Sequence, residues 1–218
     1  MKLSVPLIKQ PTKSNDCGIA CLAMLLAYYK IPYSYKDLRR SVKPYSWGTV
    51  TPQLGLFLLE NGFDVEIVTM HPALFNLSST FKNEKALIQH FLKLKPSLKN
   101  STDRIAINYF IKFVEAGGTV TPRIPNLSDI EKEISHKRPI LSTLTHWFLT
   151  NTKLPPRFSI HFNIITGISR NKVMMNDPDW GHPFAGKHIF GAEEYMYAIY
   201  ASAKGGIDDA CLMKVKKK

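Results

Sequence analysis

Cysteine and long apolar runs are both scarce in this chain of 218 residues. Its 3 cysteines cannot all pair, and their spacing is not that of a secreted disulfide framework, so the chain is expected in a reducing compartment. The longest apolar run, Ile19 to Tyr29, has 11 residues, whereas a membrane-spanning helix needs about 20. The N-terminus offers one lysine and a short apolar stretch broken by Pro6, which is not a signal-peptide pattern. These shortages predict a cytoplasmic protein with no membrane span. Neither a nucleic-acid-binding signature nor an internal repeat is present, and no residue pattern implies a metal or an organic cofactor.

What is present suits a globular protein. The apolar fraction of 44% is ordinary, and the length allows one substantial core, so residues 1–218 are expected to form a single domain. The formal charge of +12 sits partly in Lys82 to Lys99 and partly in Lys214 to Lys218. In the first stretch lysines interleave with a helical apolar face, and the second reads as a solubilising basic tail, so nucleic acid is not the expected partner. Nothing in the pattern sets an oligomeric state.

Asn15 or Asp16 can cap a first helix that ends before Pro32, and its apolar residues cover nearly every face, so it should be central. Ser34-x-x-Asp37 starts a short second helix, and Thr51-Pro52 a third that Gly62 stops. Asp64 to Met70 alternates as a strand. Residues 75–123 fit two amphipathic helices, Glu84–Leu94 and Thr102–Glu115, with Gly117-Gly118 ending the second. Ser128-x-x-Glu131 caps another helix, strand Ile140–Leu144 follows, and an irregular stretch runs through Pro155-Pro156. Ser159–Ile168 and Lys172–Asn176 form a hairpin around Ser169-Arg170-Asn171; a short helix at Ala192–Met196 and a strand around Cys211–Val215 close the chain. Helices first and an antiparallel sheet second is the α+β layout.

The chemistry concentrates at Asp16-Cys17-Gly18, which opens the first helix. A thiolate in the first helical turn is stabilised by unpaired amides and the positive end of the dipole. His161 and Asp177, on the two strands of the hairpin, can supply a base and the group that orients it. A turn near residues 169–170 places His161 opposite 177–179, which leaves Asp179 as a competitor, since a one-residue register change exchanges the faces. His146 also follows a strand and rivals His161, and His182 is close enough to line the site. Gly18 leaves room beside the thiol for a scissile carbonyl. Cys21, one turn after Cys17, reads as core packing rather than a resolving thiol or a metal ligand, and Cys211 carries no signal.

Gln10, Asp16-Cys17-Gly18, Ala20, Leu22 and Met24, with His161-Phe162 and Asp177-Pro178-x-x-Gly181 far downstream, resemble the double-glycine leader peptidases, papain-like cysteine peptidases of family 39. Trp47-Gly48-Thr49, Leu54 and Asn61-Gly62-Phe63 look like that family's second helical segment. The resemblance implies a papain-like α+β fold and peptide-bond hydrolysis, with Cys17 as nucleophile, His161 as base, Asp177 as orienter and Gln10 as oxyanion-hole donor. It implies a peptide or protein substrate, of which Gly-Gly leader peptides are the family's type. Acyl transfer or deamidation on the same triad, and a non-catalytic peptide-binding role, stay open. Two departures stand out. Gln10 lies seven residues before Cys17 where the family pattern has six, and residues 75–123 read as a helical insertion in a form expected to stand alone, without the family's usual ABC transporter.

Overall fold

A computed structural model describes residues 1–150, 160–179 and 186–218. The first helix, α1 (Cys17–Tyr28), has eight buried residues spread around its circumference, as expected for a run that is apolar on every side. Two further helices follow, α2 (Tyr35–Val42) and α3 (Thr51–Glu60). Ser34 caps α2 by accepting the Asp37 N–H, and Pro52 stands in the first turn of α3. β1 (Phe63–Thr69), α4 (Glu84–Leu94), α5 (Ser101–Glu115) and β2 (Thr119–Pro122) come next. The chain continues as α6 (Leu127–Ser135), β3 (Ile140–Thr145), the short α7 (His146–Thr150), β4 (Ile160–Ser169) and β5 (Lys172–Asp177). It ends with β6 (Gly186–Gly191), α8 (Ala192–Ala201) and β7 (Cys211–Lys217).

The seven strands form one sheet in the order β2-β1-β7-β3-β4-β5-β6, antiparallel except for the β1–β2 pair. Helices α1 and α6 pack on β4, α3 on β1, and α8 on β3, so both ends of the chain contribute to a single hydrophobic cluster. Central β4 is buried along nearly its whole length, its polar residues His161, Asn163 and Thr166 included. Its ladder with β5 runs from Ser169–Lys172 at the turn to Ile164–Asn176, with a bulge between Ile165 and Gly167. The N-terminal residues lie along this bulge. The Leu3 N–H donates to the Thr166 carbonyl at 2.7 Å, and the Ile168 N–H donates to the Met1 carbonyl at 2.9 Å. A Cβ on Gly167 would meet the Met1 carbonyl oxygen at 2.7 Å, so only glycine lets the two segments approach.

Several expectations need adjusting. The capping box of α6 is Asn126 with Asp129, not Ser128 with Glu131. The irregular stretch after β3 begins with α7, α8 runs well past Met196, and β2 and β6 are additional edge strands. Pro155 and Pro156 lie outside the described residues. The basic tail is also corrected: β7 continues to Lys217 and pairs with β1 along its full length. Lys214 is buried, its Nζ 2.7 Å from Asp129 and 3.4 Å from Glu66, and an ammonium so enclosed needs such partners. Lys216 and Lys218 approach Asp64.

Candidate active site

Cys17 is the first residue of α1 and remains partly exposed, whereas Cys21, one turn on, is fully buried. The Asp16 side chain does not cap the helix; its carboxylate accepts from the Arg39 guanidinium at 2.9 Å, across from α2. With Asp16 so paired, its side chain leaves the first amides of α1 uncapped. Gly18 serves packing. A Cβ there would meet Thr49 Oγ1 at 2.3 Å and Leu54 Cδ1 at 2.9 Å, so the absent side chain admits α3 and the loop before it rather than a substrate carbonyl.

His161 lies on β4 beneath the start of α1, buried, with its Nε2 2.7 Å from Asp177 Oδ1. The ladder that sets Ile164 opposite Asn176 carries Asn163 to Asp177, so His161 reaches Asp177 as a diagonal neighbour on the same face. With Nε2 engaged by Asp177, Nδ1 is the ring nitrogen left over, and Cys17 is close enough to act on the charge of the imidazole. Burial opposes charge on this ring. The Asp177 carboxylate and Cys17 outweigh it and raise the imidazolium to about 10. Asp177 is fully buried and its Oδ1 also accepts the Asp179 N–H at 2.8 Å, so Asp179 buttresses the carboxylate through its backbone.

The rival His146 packs its ring 5.0 Å from that of His161; it is His161 that contacts Asp177. His182 and Gly181 lie outside the described residues. Burial, reinforced by Cys17 and Asp177, pushes the Cys21 thiol well above its ordinary range, and burial pushes Cys211 up to about 12. Both read as inert core groups. Among the described residues, no group of three or more His, Cys, Asp or Glu side chains could hold a metal.

Gln10 is held near the site by its backbone, whose N–H donates to the Pro178 carbonyl at 3.0 Å. Its side chain turns elsewhere: Nε2 donates to the Ser14 carbonyl at 3.0 Å, inside the loop that carries the extra residue before Cys17. Lys13, in that loop, has φ of 61°, a left-handed turn that takes up the added length. The structure therefore pairs His161 with Asp177 beneath the helix start that carries Cys17, and leaves the Gln10 amide facing its own loop.

Beside the thiol opens a cavity of about 210 Å³ lined by Cys17, Trp47, Thr49, Phe162, Asp103 and the Asp208-Asp209 pair, among others. Sequence reasoning missed the aspartates. The Asp208-Asp209 doublet just after Gly205-Gly206 was the available signal, but its partner Asp103 is remote in sequence.

With this geometry in place, comparison with known proteins gives three results. Residues 4–96 match the model of the Peptidase C39 family, described as peptidase family C39. No curated protein matches the chain in sequence. Among solved structures, a double glycine motif protease from an AMS/PCAT transporter, in complex with its leader peptide, is 16% identical with a TM-score of 0.50, covering 100% of this chain and 94% of that one. The peptidase domain of Streptococcus ComA, a bifunctional ABC transporter of a quorum-sensing pathway, is 15% identical with a TM-score of 0.49, covering 98% and 99%. At such identities the likeness is one of fold, and it agrees with the papain-like α+β architecture expected from the sequence. No helix among the described residues is long and apolar enough to cross a membrane.

Proposed function

We propose that this chain, C39-like in its first part and papain-like in fold, is a cysteine peptidase that hydrolyses a peptide bond with Cys17, His161 and Asp177. The observation that carries the reading is the buried His161–Asp177 contact of 2.7 Å, with Cys17 at the head of α1 close enough to act on the charge of the same ring. A thiol, an imidazole and a carboxylate in that order are what nucleophilic acyl substitution requires. Cys17 Sγ attacks the carbonyl carbon as a thiolate paired with the His161 imidazolium, and the carbonyl oxygen takes up the negative charge. The Cys17 backbone N–H, free at the helix start, stabilises that oxyanion, joined by the Gln10 amide once it releases the Ser14 carbonyl. His161 then gives its proton to the leaving amine, and the acyl-enzyme thioester forms. Water, deprotonated by the now neutral imidazole, attacks the thioester; the carbon–sulfur bond breaks, the carboxylic acid leaves, and the Cys17 thiolate is again paired with the His161 imidazolium. Asp177 holds the ring for both transfers. The substrate is a peptide or protein segment, with a Gly-Gly leader as the first type to try.

The test is cleavage of a peptide library that includes Gly-Gly leader sequences, read by mass spectrometry. One defined cut is expected, falling by about 10³-fold or more in Cys17→Ala, as removal of a nucleophile costs. Undiminished cutting by Cys17→Ala, or products without a new carboxylate, would overturn the assignment.

A further inference from the structure

The cavity beside Cys17 has a composition at odds with the rest of the chain. Lys and Arg number 29 against 17 Asp and Glu, yet three of those acids line this one space and, among the described residues, no lysine or arginine does. Asp103 comes from α5, and Asp208 and Asp209 from the segment before β7. Asp209 is buried and Asp208 half-buried. Their hydrogen bonds are to neutral amides: Asp208 Oδ2 accepts the Thr51 N–H at 3.0 Å, and Asp209 Oδ2 accepts the Gly206 N–H at 2.6 Å. Asp103 accepts from the Asn100 amide at 3.2 Å.

Among the described residues, none of the three is in an ion pair. His71 sits by Ala203 and Gly206, and burial pulls its ring toward the neutral form against the opposing influence of Asp103. The carboxylates strain against one another as a result. Burial, aided by Asp103, pushes Asp208 up to about 6, and burial together with Asp208 pushes Asp209 well above its usual range.

Two other groups on the same wall point to a ligand. Thr49 is buried and lines the cavity, and its hydroxyl, packed against Gly18, has no hydrogen-bond partner among the described residues. Trp47, stacked on Tyr45 with centroids 4.9 Å apart, keeps much of its indole exposed on that wall. An aromatic face over a carboxylate floor suits a long aliphatic stem ending in a cation, which packs its methylenes on the ring and delivers its charge below.

We propose that this cavity is a substrate subsite for a lysine or arginine side chain close to the scissile bond, held by Asp103, Asp208 and Asp209 under Trp47. The inference rests on the peptidase reading of Cys17, since it is the position of the thiol that makes this cavity a subsite. It also gives residues 75–123 a role, because Asp103 reaches the site from that stretch.

The test separates the two readings. Full-length Cys17→Ala protein is titrated by calorimetry with capped pentaglycine peptides carrying lysine at each position in turn, and with the matching norleucine peptides. At one position lysine is expected to bind about tenfold tighter than its neutral isostere, the ratio of one charge-assisted contact. That ratio falls toward one in Asp103→Asn with Asp208→Asn, and falls partway in Asp103→Asn alone, which reads the same effect if the double variant fails to fold. Equal binding of lysine and norleucine at every position, absence of lysine-peptide binding, or a ratio that survives the aspartate substitutions overturns the subsite. Alkylation of Cys17 by iodoacetamide in the unaltered protein is measured alongside. An inert thiol with an intact lysine preference removes the peptidase reading and leaves a cation-binding pocket, whereas a reactive thiol without the preference removes only the subsite.

Discussion

Replacing Asp177 by asparagine tests the site at its most buried point. The amide keeps an oxygen that can accept from His161 Nε2 and from the Asp179 N–H, so shape and two hydrogen bonds survive while one negative charge goes. In the parent protein burial lowers the His161 imidazolium, and Asp177 leads the opposing influences that bring it to about 10. Without the carboxylate, burial prevails and the ring titrates below its ordinary value. Two unit charges about 4 Å apart at an effective dielectric of about 20 attract by about 4 kcal/mol. The hydrogen bonds the amide retains offset part of this, leaving about 2 kcal/mol, or about thirtyfold in the imidazolium–thiolate population at neutral pH. The assay is site-resolved alkylation of Cys17 by iodoacetamide, followed by mass spectrometry across the pH range. In the parent the rate stays level through neutral pH because the imidazolium persists. In Asp177→Asn it should be about thirtyfold lower at neutral pH and recover only under alkaline conditions, where the thiol ionises without help. Overlapping profiles, with both proteins folded, would refute the claim that Asp177 controls the charge on His161.

Stability should depend on pH through the same pair. Because the folded His161 value is raised above the ordinary 6.5, its contribution is complete below about 6.5 and lost as pH rises toward about 10; urea midpoints should fall over that window in the parent and stay flatter in His161→Gln. Gly18→Ala forces a Cβ to within 2.3 Å of Thr49 Oγ1 and should cost about 1–3 kcal/mol of overpacking, with Thr49→Ala added to it restoring part of the loss in a denaturation series. The Tyr195 hydroxyl is 2.7 Å from Ser142 Oγ and donates to Asn163 Oδ1 at 2.5 Å in a fully buried cluster. Tyr195→Phe should therefore destabilise by about 1–3 kcal/mol, and an unchanged urea midpoint would show that the cluster rearranges without penalty.

The parts legible in the sequence were those fixed locally. Helix α1 was readable because an apolar run with a polar start and a proline just beyond leaves few alternatives, and α4 was readable from its own amphipathic spacing. His161 and Asp177 could be brought near one another because a two-residue turn links their strands, but counting from the turn does not give the face, which the bulge between Ile165 and Gly167 sets. What failed depended on distant partners. Lys214 looked like part of a solvated tail, and nothing near it in sequence announces that Asp129 and Glu66 enclose its ammonium. The edge strands β2 and β6 lack a buried alternating face, so they gave no periodic signal. Asp103 could not be joined to Asp208 because the two meet only once α5 has packed on α3. Gly18 was credited to the substrate, when the atoms it makes way for belong to Thr49 and Leu54.

The bulge between Ile165 and Gly167 acts as a parity switch for the site. At the turn, Ser169 faces Lys172, Ile168 faces Val173 and Gly167 faces Met174; continued without interruption, that count would set Ile164 against Asp177. Asp177 would then share a face with Ile164 and Phe162, and His161 would look away from it. The one extra residue on β4 shifts the count, so that Ile164 meets Asn176 and Asp177 changes sides. Beside the bulge, the N-terminal residues form an antiparallel bridge of Lys2 with Gly167, in which Leu3 and Met1 take up the Thr166 carbonyl and the Ile168 N–H. Which side of the sheet carries the His161–Asp177 contact is thus decided several residues away from either side chain, at a backbone irregularity braced by the first three residues of the chain.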